Sequence, residues 1–403
     1  MNKNIKQLML GTVALLTAST INAQNLNGSF IGKLNAGMAK LTIVLNIADD
    51  GTATMESPDQ TDQKIPATVD FLSADSVAVS ISMLRASYQG RLVGDELQGT
   101  FKQSGFSFPL NLKAGTLERR RPQAITGPLP YPTEEVTFRN ERDSATLAGT
   151  LSVPAGAKTV LIMVSGSGQQ NRDEELMGHK PFAVIADYLA RHGIATLRYD
   201  DRATGQSVGG DVANATSEDF ARDAAAAINF LRKDGRFKQV GVIGHSEGGL
   251  IAFMLSAQKK VDFIVSLAGP GVSGDSILLK QMQMGGPAGQ ELTMEQVHET
   301  IAAQNNAWLN FFMSYDPADN IRHTRCPVLA LNGKKDVQVD AEMNLGALRQ
   351  LLPKNKKTCI KAYDGLNHLF QHCTTGMPDE YGQIEESFSE EVLQDIVEWI
   401  NKL

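Results

Sequence analysis

Gln239-Val240-Gly241-Val242-Ile243-Gly244-His245-Ser246-Glu247-Gly248-Gly249-Leu250 is the stretch on which the reading of this chain turns. A short apolar β run stops abruptly at a serine flanked by glycines, and a helix-compatible run, Gly248 to Gln258, follows. The pattern predicts strand, sharp turn, helix. Gly244 and Gly248 leave room for strand and helix to approach, so the serine hydroxyl is presented at the end of the sheet. Gly-x-Ser-x-Gly alone describes many ordinary turns; strand before and helix after give it the context of a nucleophile elbow.

A serine hydroxyl is a weak nucleophile near neutral pH. It needs an imidazole to take its proton and a carboxylate to orient that imidazole. On an α/β sheet with this elbow the chain order is serine, acid, histidine. The strand Val328 to Leu331 runs into Asn332-Gly333-Lys334-Lys335-Asp336, a glycine turn that offers Asp336 as the acid, with Asp340 as its competitor. After a last strand, Thr358 to Ala362, the loop Asp364-Gly365-Leu366-Asn367-His368-Leu369-Phe370 offers His368 as the base, with His372 four positions on. His245 is expected to pack beneath the elbow; His179, His192, His298 and His323 need no functional role. An oxyanion needs two backbone donors. One is the amide after the nucleophile, Glu247, and the other is assigned to Ser167 in Ser165-Gly166-Ser167-Gly168-Gln169, with Gly168 as alternative. That loop lacks the Lys-Ser/Thr pair of a phosphate loop.

Around these segments, from about Glu134, strands alternate with helical stretches, which predicts a mostly parallel sheet with helices on both faces. Val136 to Asn140 and Thr146 to Val153 read as an opening hairpin, Thr159 to Ser165 as a buried strand and Phe182 to His192 as an amphipathic helix. Ser217 opens another helix with Glu218 and Asp219 in its first turn, and a helix from Phe388 closes the chain. Between Pro270 and His323 the rhythm is interrupted by an insertion rich in methionine, glutamine and aromatics, among them Met282, Trp308, Phe311, Phe312 and Tyr315. It is expected to cap the strand ends where the serine emerges, part of it plain core and part a pocket lid. Arg198, Asp200, Asp201 and Arg202 form a charged cluster past a strand end, read as an internal network fixing the loop beside the elbow.

Residues 24–117 have a different texture. Short alternating runs, such as Lys40 to Ile47, Thr52 to Glu56, Ser76 to Met83, Leu92 to Phe101 and Phe106 to Leu112, are separated by turn residues, which predicts a small antiparallel sandwich or barrel. It carries no acid, base or metal constellation and reads as a structural module, with a ligand-binding or sugar-binding barrel as the alternative. Residues 118–133 read as a linker, because Arg119, Arg120 and Arg121 are followed by Pro122, Pro128, Pro130 and Pro132.

Residues 1–23 have the form of a secretory leader: Lys3 and Lys6, an apolar run from Leu8 to Ala18, and Ile21-Asn22-Ala23 at the expected cut. With no cysteine after it, no lipid or stable membrane anchor is expected, and the protein is expected to be exported, periplasmic or secreted. The 403 residues, 42% hydrophobic and 21% charged, suit about two or three globular domains. The net charge of −7 argues against nucleic-acid partners. Cys326, Cys359 and Cys373 have no metal-type spacing; a Cys359–Cys373 disulfide and buried thiols both remain open, and oligomeric state is not encoded legibly.

Five ordered segments, Gly166-Ser167-Gly168-Gln169, Arg198-Tyr199-Asp200-Asp201-Arg202, Gly244-His245-Ser246-Glu247-Gly248-Gly249, Asn332-Gly333-Lys334-Lys335-Asp336 and Gly365-Leu366-Asn367-His368, together resemble the α/β-hydrolase superfamily from about Val136 to Leu403. The likeness is to exported bacterial serine hydrolases of the serine-aminopeptidase and acyl-esterase branch. It implies an α/β-hydrolase domain over 134–403 with a helical cap over about 270–323, behind a small all-β domain. It also implies a triad falling on Ser246, Asp336 and His368, no metal and no cofactor. Two positions depart from the pattern: Ala203 stands where an Asp-x-Arg-Gly turn has glycine, and Ser165-Gly166 replaces His-Gly. The expected activity is hydrolysis of a small-molecule ester or acyl substrate through an acyl-serine intermediate. Peptidase or thioesterase activity is the alternative, and an inactive hydrolase body with an envelope- or glycan-binding module is the non-enzymatic one.

Overall fold

The computed structural model describes residues 26–36, 39–60, 63–116, 120–285 and 292–403; the leader read over 1–23 lies outside them. Two compact units are present. The first consists of β1 (Gly28–Ala36), β2 (Ala39–Ile47), β3 (Thr52–Glu56), β4 (Ile65–Leu72), β5 (Ser76–Ile81), β6 (Ala86–Val93), β7 (Glu96–Gln103) and β8 (Phe106–Ala114). These close in sequence order into an antiparallel barrel, β1 meeting β8 through Phe30↔Ala114 and Ile31↔Lys113. Alternation fixes which face turns inward: in β5, Val77, Val79 and Ile81 are buried and the residues between them are not. Phe30, Leu45, Val79, Tyr88, Leu97, Phe101 and Leu112 fill the interior, a packed core. Tyr88 fits because Gly90 and Gly99 face it; a Cβ at either would lie 2.4 or 2.5 Å from its hydroxyl, which donates to the Leu97 carbonyl at 3.1 Å. The run Leu92 to Phe101, read as one strand, is divided by the hairpin Gly94-Asp95, where Gly94 takes φ 68° and Val93 pairs with Glu96.

The second unit opens with the hairpin β9 (Thr133–Asn140) and β10 (Ala145–Ser152). It continues through β11 (Thr159–Val164), α1 (Pro181–Arg191), β12 (Ala195–Tyr199), β13 (Val208–Gly209), α2 (Ser217–Asp234), β14 (Gln239–His245), α3 (Glu247–Ala257) and β15 (Phe263–Leu267). Four helices follow, α4 (Gly274–Gly285), α5 (Met294–Ala302), α6 (Ala307–Ser314) and α7 (Ala318–His323), and then β16 (Val328–Gly333), α8 (Ala341–Leu351), β17 (Cys359–Tyr363), α9 (Pro378–Tyr381) and α10 (Glu390–Ile400). The sheet order is β13-β10-β12-β11-β14-β15-β16-β17, with β9 paired to β10 and every pair from β12 to β17 parallel. Both faces are covered. In β11, Val160, Ile162 and Val164 join the core shared with α2 and α3, whereas Leu161 and Met163 join that of α1 and α10. This is why the strand reads as an unbroken apolar run.

The stretch read as a linker is held against the second unit from Arg121 onward. The Arg121 guanidinium donates to the carbonyls of Met177, Gly178, Gly382 and Ile384, and Gln123 accepts from the Ser387 and Phe388 amides while donating to the Phe388 carbonyl. Of the three arginines, Arg119 lies outside the described residues. Replacing Arg121 by alanine is expected to destabilise the second unit by about 2 kcal/mol, since several carbonyls lose a charged donor at once. A urea midpoint unchanged from the parent protein would refute this. The three cysteines are free thiols, so the Cys359–Cys373 disulfide is not formed.

Candidate active site

β11 is the switch point of the sheet, because the chain leaves it for β12 on one side and returns to β14 on the other. Loops at the carboxyl ends of such neighbours diverge and leave a crevice. Val164 of β11 pairs with Gly244 of β14, so the Ser165–Gln170 loop and the Ser246 turn stand side by side over that crevice. Close approach explains the glycines here. A Cβ on Gly244 would come within 2.0 Å of the Gly248 carbonyl oxygen, and one on Gly248 within 2.0 Å of the Val164 carbonyl oxygen. Ser246 itself sits at φ 52°, ψ −119°, a conformation that costs a non-glycine residue on the order of 1–3 kcal/mol. Its amide donates to the Leu267 carbonyl and its carbonyl accepts from Gly249, which hold the turn in place.

Asp336 and His368 arrive from the ends of β16 and β17. Both are buried, and His368 Nδ1 lies 2.7 Å from Asp336 Oδ2. The other carboxylate oxygen of Asp336 accepts from the Gln338 and Val339 amides at 2.8 and 2.9 Å, which fixes the plane of the carboxylate. With Nδ1–H donating to Asp336, His368 Nε2 is the acceptor tautomer. The His368 loop is set by Asn367 and Gln371, both fully buried: the Asn367 side chain accepts from the Leu369 and Gln371 amides and donates to the Gln371 side-chain oxygen. Gln371 is in turn held by His179 and the Glu386 carbonyl. The competitors stand elsewhere. Asp340 caps α8 and pairs with Lys280 at 2.5 Å, and His372 is exposed and paired with Glu386.

Ser246, His368 and Ser167 line one cavity of about 280 Å³. Gly168 borders a different, much smaller void. The Gly166 amide is committed to Glu174 at 2.7 Å, whereas among the described residues the Ser167 amide has no protein acceptor. Glu247 is the first residue of α3, so its amide has no intrahelical acceptor. The cavity walls come from the elbow, the loops and the insertion: Leu176, Ile277, Leu278, Trp308, Leu309 and Phe312 supply the apolar surface, and Gln170, Gln281 and Gln338 the polar one. Trp308 and Phe312 stack, with ring centroids 5.2 Å apart. A larger open groove of about 890 Å³ runs past Asn140, Asn229, Lys233 and Gln258 and includes none of the candidate catalytic residues.

One pairing was not foreseen. Glu174, buried at φ 51°, accepts from the Gly166 amide and lies 2.9 Å from His245 Nδ1; His245 Nε2 in turn contacts the His368 carbonyl at 3.0 Å. Burial works against a charged His245, but the Glu174 carboxylate, with the His368 carbonyl and Asp336, outweighs it and raises the imidazole pKa. Glu174 thus links the Ser165–Gln170 loop, the elbow and the backbone of His368.

The Arg198–Arg202 cluster is an internal network. Arg172 forks onto Asp200; Arg202, almost fully buried, binds Asp223 at 2.7 Å and also Asp143; and Arg198 pairs with Asp173. Asp201 accepts from the Ser165 hydroxyl and the Gln170 amide, and burial without a cation pushes its pKa up to about 8. Ser165, where the pattern has histidine, therefore ties the loop to Asp201. Ala203 takes φ 53°, the left-handed conformation for which a glycine would be expected. Among the described residues, no group of three or more His, Cys, Asp or Glu side chains is arranged to hold a metal ion.

Switch-point crevice, strained serine at the end of β14 and a helical insertion over the strand ends define the second unit as an α/β-hydrolase fold. Comparison with known proteins adds particular relatives. Residues 179–317 match the family described as serine aminopeptidase, S33. The chain is 26% identical over 277 residues to esterase EstD of Thermotoga maritima, an alignment spanning 64% of this chain and 66% of EstD, just under two thirds of that protein. Among solved structures it is similar to the Pyrococcus furiosus esterase Pf2001 (18% identity, TM-score 0.48, 72% of this chain and 99% of that one). It is also similar to Est1E of Butyrivibrio proteoclasticus with ferulic acid bound (17% identity, TM-score 0.46, 66% and 99%).

Proposed function

We propose that this protein is a serine esterase that hydrolyses small neutral carboxylic esters through an acyl-serine intermediate. The observation that carries the reading is the cavity around Ser246 and His368, apolar with three glutamines and, among the described residues, offering no uncommitted carboxylate. In the proposed cycle His368 Nε2 takes the Ser246 hydroxyl proton as Oγ attacks the ester carbonyl carbon. The Glu247 and Ser167 amides donate to the resulting oxyanion, and Asp336 stabilises the imidazolium. Collapse breaks the carbon–oxygen bond to the alcohol, which leaves with the proton from His368. Water, deprotonated by the same imidazole, then attacks the acyl-serine and releases the acid. The similarity to EstD supports ester chemistry. On the same reading the leader-like segment sends the protein out of the cytoplasm; among the described residues no helix is long and apolar enough to cross a membrane.

The family match raises an aminopeptidase as the second reading. Recognition of a substrate ammonium calls for carboxylates over the serine. Of the insertion's acids, Glu291 lies outside the described residues, Asp275, Glu295, Glu299, Asp316 and Asp319 lie outside the cavity lining, and the Glu174 carboxylate is engaged by His245 and Gly166. The two readings separate in one assay. p-Nitrophenyl acetate or butyrate is expected to be cleaved with kcat/KM at least about a hundredfold above aminoacyl or dipeptidyl anilides, a difference of about 2.7 kcal/mol. An unactivated alkyl ester controls for the intrinsic ease of the nitrophenyl esters. Anilide cleavage equal to or faster than that alkyl ester would replace the esterase by a peptidase.

A further inference from the structure

The carboxyl group of Glu247 has no part in the reaction above, yet three segments meet on it. Its Oε1 accepts from the Ser217 hydroxyl at 2.5 Å, from the first turn of α2, and from the Trp308 indole N–H at 2.7 Å, from α6. The third segment is the elbow to which Glu247 belongs. The group is buried, both donors are neutral, and burial raises its pKa. Among the described residues it forms no ion pair, and the charged group it acts on is another carboxyl, that of Asp201. A carboxyl group in such a place is costly, and an apolar side chain of similar volume would avoid the cost. What it supplies is direction: it fixes the residue whose amide, on the esterase reading, faces the oxyanion, and it fixes that residue to Trp308. Trp308 is also a wall of the cavity that would hold the acyl group. An acyl chain packed on that ring therefore presses on a side chain bonded to the oxyanion-donor residue.

We propose that the Glu247 side chain is a positioning residue that couples occupancy of the acyl cavity to alignment of the oxyanion donors, so that the acyl chain raises kcat and does not merely lower KM. This rests on the esterase reading. Binding energy from a non-reacting group is then realised in the transition state, where misplacing a donor is expensive.

The test is a series of alkyl acetates, propionates and butyrates with the full-length protein. In the parent protein kcat is expected to rise along the series. Trp308→Phe keeps an aromatic ring, smaller than the indole, and removes the N–H; Glu247→Leu removes the acceptor; Glu247→Gln keeps an acceptor oxygen. In the first two the rise should vanish, with kcat for butyrate down about tenfold or more and KM within about threefold, while Glu247→Gln retains the rise. Melting temperature and fluorophosphonate labelling check that each variant is folded, and Trp308→Phe carries the test if Glu247→Leu does not fold. Trp308→Phe raising KM with kcat intact would make the ring a wall only and overturn the coupling. So would a flat kcat series in the parent protein, or a Glu247→Gln as impaired as Glu247→Leu. No ester turnover by the parent protein would instead remove the esterase reading and this inference with it.

Discussion

Turnover of a short alkyl ester by the His368→Ala protein is expected to fall to background, by on the order of 10⁶ in kcat, as when the base of a triad is removed. Ser246→Ala should fall equally far, and the double variant no further, because serine and imidazole act as one unit. His372→Ala is expected to keep most of its activity. His372 is an exposed ring paired with Glu386, whereas His368 is buried, bonded to Asp336 and exposed to the cavity of Ser246. Rate measurements on the three single variants decide the matter. A dead His372→Ala beside an active His368→Ala would reverse the assignment of the base.

The second large effect concerns the acid. Asp336→Asn is expected to lose on the order of 10⁴ in kcat with the fold intact. The amide can still accept the Gln338 and Val339 amides through its oxygen, but its nitrogen would donate to His368 Nδ1. That forces the proton onto Nε2, where an acceptor is needed. Asp340→Asn should keep normal kcat, since asparagine caps helices about as well as aspartate, and lose only the pairing to Lys280. Full activity in Asp336→Asn, or collapse in Asp340→Asn, would move the acid to the other carboxylate.

Much of this architecture was legible because it is local. A strand, a glycine-flanked serine and a helix are contiguous, and a loop beyond a strand end is readable one strand at a time. That reasoning chose His368 over His372 and Asp336 over Asp340; the structure bonds the chosen two to each other and sets His368 in the cavity of Ser246. What escaped was long-range polar pairing. Arg172-Asp173-Glu174-Glu175 was given no role from the sequence, yet it sends Arg172 to Asp200 and Glu174 to His245, 71 positions away. Glu247 was read only for its amide, because no spacing rule links it to Ser217 or Trp308. The Leu92–Phe101 run was misread because the two-residue turn signal Gly94-Asp95 was outweighed by the apolar residues on either side. Arg121, beside three other charges and followed by prolines, has the composition of a hinge; only the fold brings four carbonyls to it.

Closure of the first unit has a consequence for how such a chain can be rearranged. Because β1 pairs with β8, the barrel's entry and exit strands emerge side by side at one seam, where Ser29 and Gly115 are also bonded. A domain with adjacent ends behaves as a cassette: it can be excised, transplanted or circularly permuted without stretching the segment that follows. The seam is short, with two paired positions against nine between β1 and β2, so new termini are best tolerated at an exposed hairpin such as Gly94-Asp95. A permuted barrel joined across its old ends should therefore retain its register.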